Sequence, residues 1–363
     1  QNGTMPYFNS GNADFPLEPI KGQFMEGGCG AQASAIKVGD TMMWLGHETS
    51  GRGVIWRADG YRLSRISTYA IEEAIRSYSG SPAGITDAVA WSYQDQGHIF
   101  YVLCFPTAGK TWVYDLTAGF WHERMFLSGS TETAHLGICH VFAFWETTPF
   151  RGKHLVGARN SGIVYEMNNT FTDDDSATIR RIRRAPHLHG NGKRVFYSYI
   201  EVGLEVGLAA NQRLNMRYSD TAGKTYESYK TVNVGPAVSS VGASAAVIVS
   251  GGTAYTVNDV LTVVGGDGTA ATLTVTAVAS GVITAVSVTT AGAYTGNPAN
   301  PVSVTGGGGT LATFNLSIPS LQLARARWPF QGSARDRVYE LMVEDAVRWT
   351  INDAQLGAEV GLH

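Results

Sequence analysis

The chain has 363 residues, 44% hydrophobic and only 16% charged, with 43 glycines and a formal net charge of −3. That is apolar material enough for a large core or several domains, and low charge beside many Gly, Thr and Val points to β-structure with tight turns. A dedicated nucleic-acid binder carries a clear basic excess, which this chain lacks. Three cysteines, Cys29, Cys104 and Cys139, stand in no CxxC spacing. A disulfide framework or structural zinc is not expected, and synthesis in a reducing place is. No apolar run of about 18 residues offers a membrane span. No signal peptide is expected at the start, and the opening at Gln1 in a turn-rich stretch suggests an upstream portion.

In chain order, the first β-signal is "TMMWLG" followed by "GVIWRADGYRLSRIS" (Gly53 to Ser67), a β-run, a turn at Ala58-Asp59-Gly60 and an aromatic restart at Tyr61. Next, "STYAIEEAIRSY" places Ile71, Ala74, Ile75 and Tyr78 on one helical face. Ser67 or Thr68 can cap it, and Glu72 and Glu73 favour its first turn. This helix, near 67–79, is expected to pack across the outside of a sheet. The first pattern then returns in "HIFYVLCF" with "TWVYDLTAGFWHER" (Thr111 to Arg124), and again in "KHLVGAR" with "SGIVYEMNNTF".

The step is 58 residues from Trp56 to Tyr114 and 51 from Tyr114 to Tyr165, close to the ~50 residues of a four-stranded kelch-type propeller blade. A single hairpin buries too little apolar surface to stand alone, whereas stacked blades give each sheet two neighbours. The aromatics Trp44, Trp56, Trp91, Trp112, Trp121 and Trp145 are expected to fill the space between blades. Trp56, Trp112, Tyr114, Trp121 and Tyr165 are the inter-blade packing set. Three units are visible where closure needs about four to eight.

Strand-like sequence resumes at "RVFYSYIEVGLEVG", "QRLNMRYS" and "TYESYKTVNV". From Gly235 to Pro319 the only charged residues are Asp259 and Asp267, and Val/Ile/Leu alternates with Thr/Ser/Ala between Gly-rich turns. That reads as a β-module inserted into a loop of its parent, where closure entropy grows only logarithmically with length. The expected fold is all-β, a partial propeller with one outer helix and an inserted Gly/Thr/Val-rich module. Its divisions are residues 1–193 as blades, 194–234 with 320–363 as a C-terminal last blade or sandwich, and 235–319 as the module.

Catalytic signatures fail on inspection. "AGKTW" (Ala108 to Trp112) and "AGKTY" (Ala222 to Tyr226) lack the Gly a phosphate loop needs five residues before Gly-Lys; Cys104 and Tyr218 stand there. They read as hairpin turns. "SDTAGKTY" (Ser219 to Tyr226) resembles a sialidase-type Asp box with the Asp one place early, a structural hairpin in either case. His187 and His189 alternate in "HLH", with His135 and His140 earlier in the chain, but no HExxH or carboxylate at ligand spacing accompanies them. "TDDDS" (Thr172 to Ser176) reads as a solvated turn, with a Ca²⁺ loop as the alternative. No GxSxG elbow appears. No catalytic residue, metal or cofactor is assigned. The one strong charge feature is "RRIRRAPHLHGNGKR": Arg180, Arg181, Arg183, Arg184, Lys193 and Arg194. It is either a solvated, charge-protected strand edge or a contact surface for an acidic partner or phosphates.

Taken together, "WSYQDQGHIFYVLCFPTAGKTWVYDLTAGFWHER", "STYAIEEAIRSY", "GKHLVGARNSGIVYEMN", "RRIRRAPHLH", "KRVFYSYIEVGLEVG", "RYSDTAGKTY" and "GSARDRVYELMV" resemble the packaged-DNA stabilisation proteins of short-tailed bacteriophages, the tail-hub or nozzle component. The resemblance covers most of Gly28 to His363 outside the module. It implies a non-enzymatic propeller subunit in the virion tail, made in the host cytoplasm and assembled as a ring, commonly a hexamer, below the portal and its adaptor. Such a ring continues the DNA channel, retains double-stranded DNA without sequence recognition, and meets tailspike, fibre or needle proteins. The arginine run is then expected at a subunit interface. The alternative function is a propeller that binds or hydrolyses glycans, and a nucleic-acid clamp using the arginines is a third.

Overall fold

The computed structural model describes residues 3–47, 53–78, 85–144, 149–206, 212–234, 241–318, 322–346 and 349–361. Trp145 lies outside the described residues, as do both ends of the expected module. The chain divides into two compact units, Gln1–Ala177 and Thr178–His363.

In the first unit three antiparallel meanders follow one another. The first runs through Ile36–Val38, Thr41–His47, Ile55–Asp59 and Arg62–Arg65, with Gly28–Cys29 adding to Thr41–His47. The second is a regular four-stranded sheet of Val89–Asp95, His98–Phe105, Lys110–Asp115 and Phe120–Glu123. The third has Gly137–Ala143, Lys153–Ala158 and Val164–Met167. Val89–Asp95, which opens the second meander, lies against both Ile36–Val38 of the first and Gly137–Ala143 of the third. The three sheets are nonetheless separately hydrogen-bonded. Leading strands side by side in separate sheets is the blade arrangement of a propeller.

Strand periodicity explains the stacking. In His98–Phe105 every second side chain, Tyr101, Leu103 and Phe105, enters a core shared with Met43, Leu45 and Ile55 of the first blade. Val102, between them, points to the other face and joins Trp91, Tyr93, Val113 and Val156, the last from the third blade. The second blade is therefore buried on both faces, which is why "HIFYVLCF" is apolar throughout rather than alternating.

The expected helix is present at Tyr69–Tyr78. Thr68 Oγ1 accepts from the Ile71 amide at 3.5 Å, the N-cap position. It does not pack across the outside of a blade. Ile71 and Ile75 enter the core between the first and second blades. Trp112 Nε1 donates to Tyr78 Oη at 3.0 Å. Glu72, 1% exposed, is held by Arg65 and by Ser67 Oγ at 2.7 Å. The helix takes this place because its apolar stripe, Ile71 and Ile75, finds apolar side chains of both blades to pack against.

The second unit pairs two sheets. One has Arg181–Arg184, Asp336–Val343, Arg213–Ser219 and Lys230–Asn233 in that order; the other places Val195–Val206 between Gln322–Ala334 and Trp349–Val360. Ile200, Val202, Leu204, Leu214, Met216, Trp328 and Tyr339 fill the space between them, and Trp328 Nε1 donates to the Lys230 carbonyl at 3.0 Å. This is a sandwich. The expected boundary at residue 193 is displaced: Arg181–Arg184 and Leu188–His189 both pair with Asp336–Val343 and belong to the sandwich. The ladder partner lies some 150 residues on, so local pattern cannot reveal it.

Between Lys230–Asn233 and Gln322–Ala334 the chain makes a further six-stranded sheet with a core of its own, including Leu261, Leu273, Val275, Ile283, Tyr294 and Phe314. Its end strands, Ala245–Thr253 and Val282–Thr290, meet and roll the sheet onto itself. Gly251 permits this approach, since a Cβ there would stand 2.5 Å from the Ile283 carbonyl oxygen. Thr305, Thr262, Thr272 and Thr290 stand in register across four neighbouring strands, on positions alternating with the buried Leu261, Val263, Ala271 and Leu273.

Candidate functional site

The inter-blade aromatics occupy three different places. Trp112, Tyr114 and Trp121 all join the core between the first and second blades. Tyr114 and Trp121 pack ring on ring at 4.9 Å, and Trp121 Nε1 donates to the Ile66 carbonyl at 2.9 Å, tying the outer strand of the second blade to the end of the first. Tyr165 lies against the core between the second and third blades. Trp56 sits on the opposite face of the first blade, with Trp44, Met25, Ala58 and Leu63. It is not between two of the described blades, because residues 55–59 alternate and its neighbour Ile55 takes the seam side. Trp91 joins Tyr165 in the second seam.

The turn inside "TWVYDLTAGFWHER" is built by Asp115. Its Oδ1 accepts from the amides of Thr117 at 2.9 Å and Ala118 at 3.0 Å, and Oδ2 lies 2.7 Å from His98 Nδ1. Burial pushes this carboxyl up, but the Ala118 amide, His98 and the Thr117 amide outweigh it and hold it below the usual aspartate range. The residue is spent on the hairpin. "AGKTW" likewise forms a turn, with Gly109 at φ 65° and Lys110 paired to Glu123 at 2.6 Å. In "SDTAGKTY" Ser219 Oγ accepts from the Gly223 amide at 3.0 Å, and Asp220 forms a two-pronged pair with Arg337 at 2.6 and 2.7 Å.

The arginine run is largely engaged within the sandwich. Arg180 pairs with Glu344 at 2.7 Å, Arg184 with Glu340 at 2.6 Å, and Arg181 donates to the Asp345 carbonyl at 3.2 Å. Arg194 donates to Ser333 Oγ at 3.0 Å. Arg183 and Lys193 are exposed and form no ion pair among the described residues. Glu340 is the hub: fully buried, it accepts from Arg184, Arg217 at 2.6 Å and Tyr229 at 2.7 Å. Burial raises its carboxyl, yet Arg217, Tyr229 and Arg184 bring it below the usual glutamate range.

His187 lies 3.0 Å from Asp336, whereas His135 and His140 belong to the other unit. Asp173–Asp174 and Ala177–Thr178 are two-residue strands of a tight hairpin with Asp175 and Ser176 at positive φ. Among the described residues no group of three or more His, Cys, Asp and Glu side chains converges on a metal position.

Residues 3–172 match the family described as "Bacteriophage P22 Gp10, beta-propeller", a phage-stabilisation family. Over those residues, a little under half of its length, the chain is similar to that family. The matched stretch coincides with the first unit and contains all three blades. No curated protein matches the chain. Among solved structures, an exo-inulinase from Aspergillus awamori is similar at 10% identity and TM-score 0.15, over 84% of this chain and 65% of its own. The chain thus spans just under two thirds of that enzyme, and a likeness so slight carries no argument.

The matched segment holds one further cluster, of histidines from its third blade. His140 Nε2 and His154 Nδ1 stand 2.9 Å apart with rings stacked at 5.2 Å, and His140 also stacks on Trp91 at 5.5 Å. The signal was present in the spacing: His140 and His154 each alternate inward from neighbouring strands. His135 packs nearby, 6.2 Å from Trp91. Burial and the Arg124 charge push its imidazole down to about 4, against a smaller opposing effect of the Gly137 carbonyl; burial and His154 lower His140 as well.

A depressed histidine is neutral in both states above its unfolded value near 6.5. Between pH 6.5 and about 4 only the unfolded chain takes up the proton, so stability falls as pH falls. The first unit is expected to lose up to about 3 kcal/mol from His135 across that window. Scanning calorimetry at stepped pH checks this: His135→Gln should flatten the decline, and an unchanged decline would remove His135 as its cause.

Proposed function

We propose that the protein is a structural component of a phage virion tail, in which copies form a hexameric ring that extends the portal channel, retains packaged double-stranded DNA and docks other tail parts. The observation that carries this reading is the family match over residues 3–172, the stretch in which three blades stack face to face. The family supports a structural, DNA-stabilising role in the virion, and the polar side chains in the motifs serve turns and ion pairs rather than a reaction centre. A net charge of −3 suits a conduit, since dense Lys/Arg contacts would hold the DNA back.

Portal and adaptor proteins, and tailspike, fibre or needle proteins, are the partners of the proposed ring. Arg183 and Lys193 are the members of the arginine run left for a neighbouring subunit, while Arg180, Arg181, Arg184 and Arg194 shape that strand from within. Electron microscopy of the protein mixed with its phage's portal and adaptor tests the reading. Rings stacked on the adaptor are expected; a strict monomer that ignores both would end it.

A further inference from the structure

Between the second and third blades a cleft of about 360 Å³ opens to solvent, within the size range of small-molecule sites. Its rim is the turn Gln94-Asp95-Gln96 on one side and Asn168-Asn169 on the other. Its floor is Phe142, His154 and Met167, with Lys153 and Glu166 along the edge. We propose that this cleft is a binding site for a neutral saccharide unit of a surface glycan.

The chemistry of the lining carries the assignment. The side chains of Gln94, Gln96 and Asn169 make no hydrogen bond among the described residues, so their amides are available to a ligand. Asn168 Oδ1 already accepts from the Thr170 amide and hydroxyl, both at 3.0 Å, which fixes its amide plane and leaves Nδ2 to donate. Side-chain amides both donate and accept, as sugar hydroxyls do, and the Asp95 carboxylate adds an acceptor for a hydroxyl pair. Phe142 is 44% exposed and leaves ring surface for the C–H face of a pyranose. The floor is rigid: the His154 ring packs at 4.9 Å on Phe142 and is held by His140, which in turn stacks on Trp91. A pre-set floor reduces the ordering cost of binding.

Charge narrows the ligand class. Among the described residues Lys153 is the single cation in the lining, and it is paired with Glu166 at 2.6 Å. With Asp95 beside it the site is net acidic, which disfavours phosphates, nucleotides and acidic sugars. The predominance of polar groups disfavours a greasy ligand.

The test is an array of neutral and anionic glycans probed with the full chain, followed by calorimetric titration of maltotriose, triacetylchitotriose and sialyllactose. Saturable binding of a neutral glycan is expected. Asn169→Ala and Gln94→Ala together should weaken it about tenfold or more, the loss of roughly one good hydrogen-bonding pair. Phe142→Ala should do the same. The melting temperature of the Asn169→Ala/Gln94→Ala protein should stay at the parent value, since neither side chain has an internal partner. The proposal is overturned by no neutral glycan binding above background, by binding indifferent to these substitutions, or by sialyllactose binding as tightly as the neutral probes. Ring assembly is read in a different experiment, so either result stands without the other.

Discussion

Replacing Glu340 with leucine is expected to cost the sandwich about 3–5 kcal/mol, because it removes one partner from a buried ionic cluster and leaves the others in place. Glu340 has no exposed surface and receives Arg184, Arg217 and Tyr229 together. Arg217 is itself clamped between the rings of Tyr226, at 4.6 Å from its centroid, and Tyr229, at 4.4 Å. It cannot swing out to water without unstacking both. The half-buried Tyr229 hydroxyl would lose its acceptor as well. Thermal unfolding of the second unit should drop by about 10 °C, using the roughly 2–4 °C per kcal/mol typical of this size. Glu340→Gln keeps the shape and one acceptor and should cost clearly less. A shift below about 1 kcal/mol for the leucine variant would mean the cluster is solvated and contributes as little as a surface pair.

Phe105→Ala is the corresponding test of the blade stack and should cost about 3–5 kcal/mol, the usual range for truncating a buried aromatic. Phe105 is completely buried in the core between the first and second blades. Its ring meets Tyr78 of the helix edge-on at 5.3 Å, and Tyr78 in turn accepts the Trp112 indole N–H. Truncation therefore opens a cavity where helix and blade meet. Phe171→Ala, at an exposed position, is the control and should change stability by no more than about 0.5 kcal/mol. Urea unfolding followed by tryptophan fluorescence reads both variants. If Phe105→Ala behaves like the control, the seam is not a packed interface and the propeller reading of the first unit fails with it.

Much of the blade structure was legible because a strand and its turn are local objects. Asp115 and Gly119 announce a hairpin through chemistry contained in five residues: an Asp oxygen to two amides, then Gly119 at φ 74°. Alternation likewise reveals that Trp112 and Tyr114 share a face. It does not say which neighbour that face meets. Trp56 fits the same repeat as Tyr114 and Tyr165, yet it packs against Met25 and Trp44 on the far side of the first blade. The helix showed its apolar stripe in Ile71 and Ile75, but a stripe wide enough for one wall looks the same in sequence as one that serves two.

The arginine run hides its partners for a related reason. Six basic residues in fifteen look like a free positive field until their partners are known. Those partners, Glu340, Glu344 and Asp345, are brought by a strand about 160 residues further along the chain. Likewise the cleft between the second and third blades is assembled from four separated segments, and no local pattern in any of them announces a shared site.

By itself, the sequence determined the class of structure: β-strands from period-2 alternation, turns from Gly, Asp and Asn, one capped helix, and a charge-poor module set apart by composition. All of these are set by interactions within a few residues of each other. Only the tertiary structure decided which faces meet, where the first unit ends, which arginines are already paired, and where a polar cleft opens. Those outcomes depend on contacts between distant segments, and burial and charge pairing reward such contacts without leaving a local trace.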